Sequence, residues 1–237
     1  MDLIRIEFLK LKRFNLFLLS VIASLPAVAI AVTLYNSIGD KIDKILIMEF
    51  ILEVSSSVYI GMLLNLLIIY SICTITKIEN TYNGWRGLLT LPIKKYKIYI
   101  SKILTIFVLI AISLSAFYIF TILTTVFLGG SIKVSLLINL VLVFLTTMPI
   151  VLILFIVARN FTSVVVPLAL GIFFMITGFF ITQSDYWIFA PWTYSIAVSS
   201  GALSNWQLVF VILLSVSLST LIFYIDLIKF NSEDLVA

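Results

Sequence analysis

The sequence predicts an all-α, polytopic membrane protein with six transmembrane helices, both termini cytoplasmic, and short amphipathic helices at the interfaces. Three observations predict it. Apolar residues fill 62% of the 237 positions and charged residues 11%, with a mean hydropathy of +1.25, well above what a soluble core requires. Apolar runs at roughly Leu16–Tyr35, Val54–Thr76, Ile103–Leu128, Val134–Val157, Val164–Thr182 and Trp206–Ile228 are each about 20 residues or more, enough for a helix to cross about 30 Å of hydrocarbon. Finally, the basic residues segregate. Arg5, Lys10, Lys12, Arg13, Lys77, Arg86, Lys94, Lys95, Lys97, Lys102, Arg159 and Lys229 fall on one side, and only Lys41, Lys44 and Lys133 on the other. Positive residues favour the cytoplasmic side, so both termini and the segment 77–102 are expected there. The net charge of +4 is thus mainly topological and does not point to nucleic acid, because the basic residues flank spans and form no separate domain.

Continuous apolar runs need helices, which satisfy the backbone internally; a barrel would show short alternating strands instead. The first run follows the charged stretch MDLIRIEFLKLKRF and lacks a small-residue cleavage site, so it is expected to be a retained span. The whole chain, 1–237, reads as one transmembrane domain. In the stretch 1–13, Leu3, Ile4, Phe8 and Leu11 share a face against Asp2, Arg5, Lys12 and Arg13, which predicts an interfacial helix, although Glu7 and Lys10 blur the stripe. Within the spans, Asn65, Asn139 and scattered Ser and Thr are expected to make interhelical hydrogen bonds or to line a path. Pro26, Pro149 and Pro167 are expected to kink or start helices. Cys73, the single cysteine, has no disulfide partner in the chain and reads as a small apolar filler.

Several chemistries are missing. There is no His, which removes Ser/His triads, His-bearing metal sites and the commonest general base. No GxxxxGK[ST] motif is present, nor even a GK dipeptide, so no P-loop is available to hold ATP phosphates. The sequence accordingly predicts no enzyme, no cofactor and no metal site in this chain. No Asp, Glu, Lys or Arg lies near a span midplane, which disfavours coupling to an ion gradient. A transporter of this kind must draw its energy from another protein.

The segment 78–102, IENTYNGWRGLLTLPIKKYKIYISK, is where that contact is expected. At 3.6 residues per turn, Ile78, Tyr82, Trp85 and Leu89 fall on one face, and Glu79, Asn83, Arg86 and Thr90 on the other. Pro92 closes the helix by biasing Leu91 away from helical angles. Beyond it, Lys94, Lys95, Lys97 and Lys102 can reach lipid phosphates. Such a helix either lies in the interface, with Trp85 and Tyr82 among headgroups, or packs its aromatic face on the bundle and offers Glu79, Asn83 and Arg86 to a partner.

The pattern E…NGWRGLLTLPIKKYKIYISK at Glu79–Lys102 resembles the permease subunits of type-2 ABC exporters, most closely those of lantibiotic-immunity and related antimicrobial-peptide systems, where an acidic residue, a Trp and an L-P-x-x-[KR] turn recur. The segment SDYWIFAPWTYSIAVSSG at Ser184–Gly201 is similar to that family as well. The resemblance implies that 78–90 is a coupling helix, with Glu79, Asn83, Trp85 and Arg86 contacting a separate ATP-binding subunit present in two copies, which binds ATP and Mg. It also implies a second permease, identical or sister, a bacterial cytoplasmic membrane, and an amphipathic peptide substrate, moved out of the membrane or cell for immunity or export.

On the opposite side, Asp40, Asp43, Glu49 and Glu53 in the first outer loop, expected to form a short interfacial helix, and Trp187 and Trp192 in the 184–206 segment offer contacts to a cationic, amphipathic peptide. The same aromatics also suit a belt that anchors interfacial segments. A membrane interaction or sensor protein that docks a partner through 78–90 without transport is the alternative reading.

Overall fold

A computed structural model describes residues 6–9, 15–38, 46–80, 94–133, 135–161 and 163–232. Among the described residues every regular element is helical: α1 (Leu16–Ile22), α2 (Leu25–Ile38), α3 (Ile47–Val58), a π-helical turn (Tyr59–Leu63), α4 (Leu64–Asn80), α5 (Lys95–Phe127), α6 (Ser135–Asn160), α7 (Val165–Ile181), α8 (Tyr194–Ser199) and α9 (Asn205–Ser232). Two 3-10 turns, Trp187–Phe189 and Pro191–Thr193, precede α8.

Five helical stretches are long and apolar enough to cross a membrane: Leu16–Ile38, Ile47–Lys77, Lys95–Phe127, Leu136–Asn160 and Asn205–Asn231. The run expected as the fifth span forms α7, whose 17 residues extend only about 26 Å at roughly 1.5 Å per residue. The predicted run beginning at Val54 starts earlier: Glu49 and Glu53 belong to the first turns of α3, continuous through the π turn into α4. The expected interfacial helix therefore has no separate existence over 47–53, because Ile47, Met48 and Ile51 are buried against the bundle and carry the helix outward.

Successive long helices reverse direction. Tyr35 of α2 meets Phe50 of α3. The π turn and α4 run antiparallel to α7, since Gly61 faces Phe179 and Gly171 faces Ile69. At Gly171 an added Cβ would lie 2.2 Å from Ile69 Cγ1, so glycine is what lets these helices approach. Helices α6 and α9 run parallel: Leu145 and Arg159 of the one pair in order with Ser215 and Asp226 of the other. The chain must return across the bundle between them, and α7 is the element that does so. The bundle thus has a basic end, holding Lys77, Lys95, Lys102, Arg159 and Lys229, and an aromatic end, holding Glu49, Lys133 and residues 182–207.

The prolines behave as helix punctuation. The chain breaks at Ala23–Ser24 just ahead of Pro26, which occupies the second position of α2, and Pro167 is the third residue of α7. Pro149 lies inside α6 and, lacking an N–H, leaves the Leu145 carbonyl four residues earlier without its usual helical donor. Ser215 of α9 supplies the missing donor, its Oγ 2.9 Å from that carbonyl oxygen. Most of the other buried hydroxyls do not bond across helices as the sequence suggested. Thr105, Thr121, Thr146 and Ser219 each donate to a carbonyl of their own helix, because the turn below is always within reach while a neighbouring helix is not. Asn65 does the same, donating to Ile60 and Gly61 carbonyls that the π turn displaces. Tyr59 is an exception: its hydroxyl lies 2.6 Å from Ser113 Oγ of α5 and its ring stacks on Phe117 at 4.3 Å. Cys73 is buried, as expected of a filler.

Candidate functional site

The basic end carries the most organised polar chemistry in the described residues. Asp226 lies in the penultimate turn of α9 and is 3% exposed. One carboxylate oxygen accepts the Tyr99 hydroxyl at 2.7 Å, and the other accepts a hydrogen bond from Arg159 Nη2 at 2.8 Å. A single carboxylate thereby joins α5, α6 and α9. Aromatic rings enclose the group: Phe155, Phe223 and Phe230 lie 5.4–5.7 Å from the Tyr99 ring, and the Arg159 guanidinium stands 5.1 Å from the Phe230 centroid. Roughly a turn further along α5, Lys102 is fully buried and donates to Glu7 Oε1 at 3.1 Å. Buried charges need such partners because desolvation is otherwise prohibitive.

The Glu7 contact explains why the N-terminal stripe was blurred. Residues 6–9 are helical, with Glu7 and Phe8 turned inward and Ile6 and Leu9 exposed. Phe8 meets Phe17 at 5.4 Å. A glutamate that reads as a flaw in an apolar face is the counter-ion of a buried lysine. The rest of the expected 1–13 helix lies outside the described residues.

Of the residues expected to contact an ATPase, Glu79 lies in the last turn of α4, its side chain outside the described set, while Asn83, Trp85 and Arg86 lie outside the described residues altogether. Residues 78–80 continue α4, and α5 begins at Lys95, one turn before Tyr99; both helix ends lie at the basic end.

Asp40 and Asp43 lie outside the described residues. Glu49 and Glu53 are both exposed on α3, and Glu49 pairs with Lys133. Trp192 is half-buried and stacks on Phe174 at 4.6 Å, and Trp187 stands edge-on to Tyr194. The turn that carries both tryptophans is locked from within: Thr193 Oγ1 donates to the Trp187 and Ala190 carbonyls, and the Tyr194 hydroxyl donates to the Ile188 carbonyl at 2.7 Å. Burial pushes the Tyr194 phenol up to about 12, so it stays protonated as that donor. Trp187, Phe189 and Tyr194 face Trp206, Phe210 and Leu214 of α9 across an apolar groove of about 660 Å³. The structure thus brings Trp187 to a groove, packs Trp192 into the bundle, and leaves Glu49 and Glu53 on a different helix.

A family model described as "ABC-2 family transporter protein" matches residues 3–178. The chain belongs to the ABC-2 transporter family. It is therefore a multi-pass membrane subunit of an ABC transporter, and membership implies an ABC ATP-binding partner. Members are membrane subunits, generally not themselves catalytic. The matched region contains the whole 78–102 segment but stops before Ser184–Gly201, so it covers the first of the two stretches that resembled such permeases and not the second. No curated protein matches the chain, and no solved structure matches it.

The residue set that sequence reasoning missed is Tyr99, Arg159 and Asp226. A signal for it existed: Asp226 is the sole charged residue in the run Trp206–Ile228, and a lone carboxylate in an apolar run requires a partner.

Proposed function

We propose that this ABC-2 subunit is the permease of an exporter of amphipathic peptides, of the antimicrobial-peptide immunity or peptide-export type, energised by two copies of a separate ATP-binding subunit that hold the ATP and Mg. The single observation that carries the reading is where α4 ends and α5 begins: Asn80 and Lys95 both lie at the end where the basic residues collect, within the region matched to the family. Residues 78–90 are then the coupling helix, and Glu79, Asn83, Trp85 and Arg86 the contacts to the ATPase.

The basic end is cytoplasmic on this reading, as the distribution of Lys and Arg favours, and the membrane is the bacterial cytoplasmic membrane. Six passes follow if α7 counts as a short span; its support is the parallel run of α6 and α9, which needs a returning element between them. A second permease, identical or sister, completes the unit. The peptide character of the substrate is supported by an interior whose described charges gather at the ends, and by the apolar groove beside Trp187. Asp40, Asp43, Glu49 and Glu53 would add attraction for a cationic peptide.

Copurification with the candidate ATPase in nanodiscs, followed by ATP hydrolysis, tests this. Trp85→Ala and Glu79→Arg should each lower ATPase association or stimulation while leaving insertion intact. Normal association and activity in both variants would reject the coupling assignment. Association of the wild type without ATP turnover would favour a docking protein that transports nothing.

A further inference from the structure

The buried carboxylate of Asp226 is a curious investment for stability alone. Replacing a buried ion pair by well-packed apolar side chains is often neutral or stabilising, and in some proteins a retained pair specifies an arrangement instead. What this one specifies is a junction of three helices at a mechanically exposed place. Helix α5 starts at Lys95, and Tyr99 is one turn along it. Through Asp226, displacement of that turn reaches α9 at 2.7 Å and, through the second oxygen, α6 at 2.8 Å. Helices α6 and α9 are tied again in mid-bundle by Ser215 and the Leu145 carbonyl freed by Pro149. The far end of α9 carries Trp206, Gln207 and Phe210, one wall of the apolar groove. From Asp226 to Gln207 is about 28 Å of helix at roughly 1.5 Å per residue.

We propose that Tyr99, Arg159 and Asp226 are positioning residues that pass movement of the segment ahead of α5 into α9, and through α9 to the aromatic groove at its other end. This rests on the reading of 78–90 as the ATPase contact. A two-state polar junction suits the task, since directional bonds to one carboxylate oxygen each either hold or break, whereas apolar packing slides.

The test uses the full chain with its ATP-binding subunit in nanodiscs. Phe210→Cys in a Cys73→Ser background carries an environment-sensitive fluorophore, and Mg-ATP with vanadate is the probe. The expected result is an emission shift with the native triad. In Tyr99→Phe, which conserves volume, and in the doubly neutral Asp226→Asn/Arg159→Gln, that shift is lost. In both variants kcat for ATP falls by about tenfold, the size expected from hydrogen bonds to a charged group, and KM for ATP is unchanged because the nucleotide binds elsewhere. An equal shift and equal kcat in folded, ATPase-bound variants would overturn the role of the triad alone. A wild type that binds the ATPase but gives no shift at position 210 would overturn the lever through α9. A wild type that binds no ATPase would overturn the coupling reading, and this inference with it.

Discussion

The two ends of this bundle handle charge in opposite ways. At the basic end, Glu7, Lys102, Arg159 and Asp226 are buried and joined in ion pairs at 3.1 and 2.8 Å. At the aromatic end, Glu49 and Lys133 also pair, but with 53% and 43% of their side chains exposed. There the fixed geometry comes instead from hydroxyls of Thr193 and Tyr194 closing on main-chain carbonyls within one short turn. The basic end therefore links distant parts of the chain, the N-terminal stretch, α5, α6 and α9, whereas the aromatic end holds local shape beside an open groove. On the proposed function, that division suits a protein that receives force at one end and meets substrate at the other.

The comparison can be broken by substitution. The largest effect is expected for Asp226→Ala, which leaves Arg159 buried against Phe230 without the carboxylate; thermal unfolding in detergent should show a loss of about 3–5 kcal/mol. A loss within about 1 kcal/mol would mean that the junction is solvated. Next is Gly171→Ala, because its new Cβ meets Ile69 at 2.2 Å; overpacking of this kind costs about 1–3 kcal/mol, and an unchanged melting temperature would show that α4 and α7 separate easily. Ser215→Ala should cost about 1 kcal/mol or somewhat less, the range for interhelical bonds in membranes, while Ser217→Ala, an exposed hydroxyl bonded within its own helix, should cost nearly nothing. Equal effects would deny that Ser215 repairs the gap left by Pro149. The smallest effect belongs to Glu49→Gln, within about 1 kcal/mol of zero because its pair is exposed. Its value lies elsewhere: if Asp40, Asp43, Glu49 and Glu53 attract a cationic peptide, neutralising all of them should weaken peptide protection or export, and unchanged resistance would reject that surface.

Much of the fold was legible because membranes simplify it. Long apolar runs must be helical, and α1–α2, α5, α6 and α9 fall where the hydropathy of the sequence puts them. Boundaries were less legible where burial extends a helix past its apolar run, as at Glu49 and Glu53, whose neighbours Ile47, Met48 and Ile51 pack inward. Hydrogen bonding was misjudged in one respect. Apolar patterning says which residues are inside but not whether a hydroxyl reaches its own helix or the next, and for Thr105, Thr121 and Thr146 the nearer carbonyl wins. The motif proposed to face a partner, at 78–90, is a pattern within one stretch of sequence, whereas the Tyr99–Asp226–Arg159 junction was not readable, because it joins residues far apart in sequence that only packing brings together.

The most direct test of the central claim, that the basic end meets the ATP-binding subunit, is site-specific crosslinking. With Cys73→Ser removing the single native cysteine, new cysteines are placed at Asn83 and Arg86 on one side and at Phe189 and Trp206, which are 81% and 68% exposed, on the other. Photocrosslinkers attached at Asn83 or Arg86 should capture the ATPase, and those at Phe189 or Trp206 should not. Capture from the aromatic end, or from neither end in a complex that copurifies, would contradict the account.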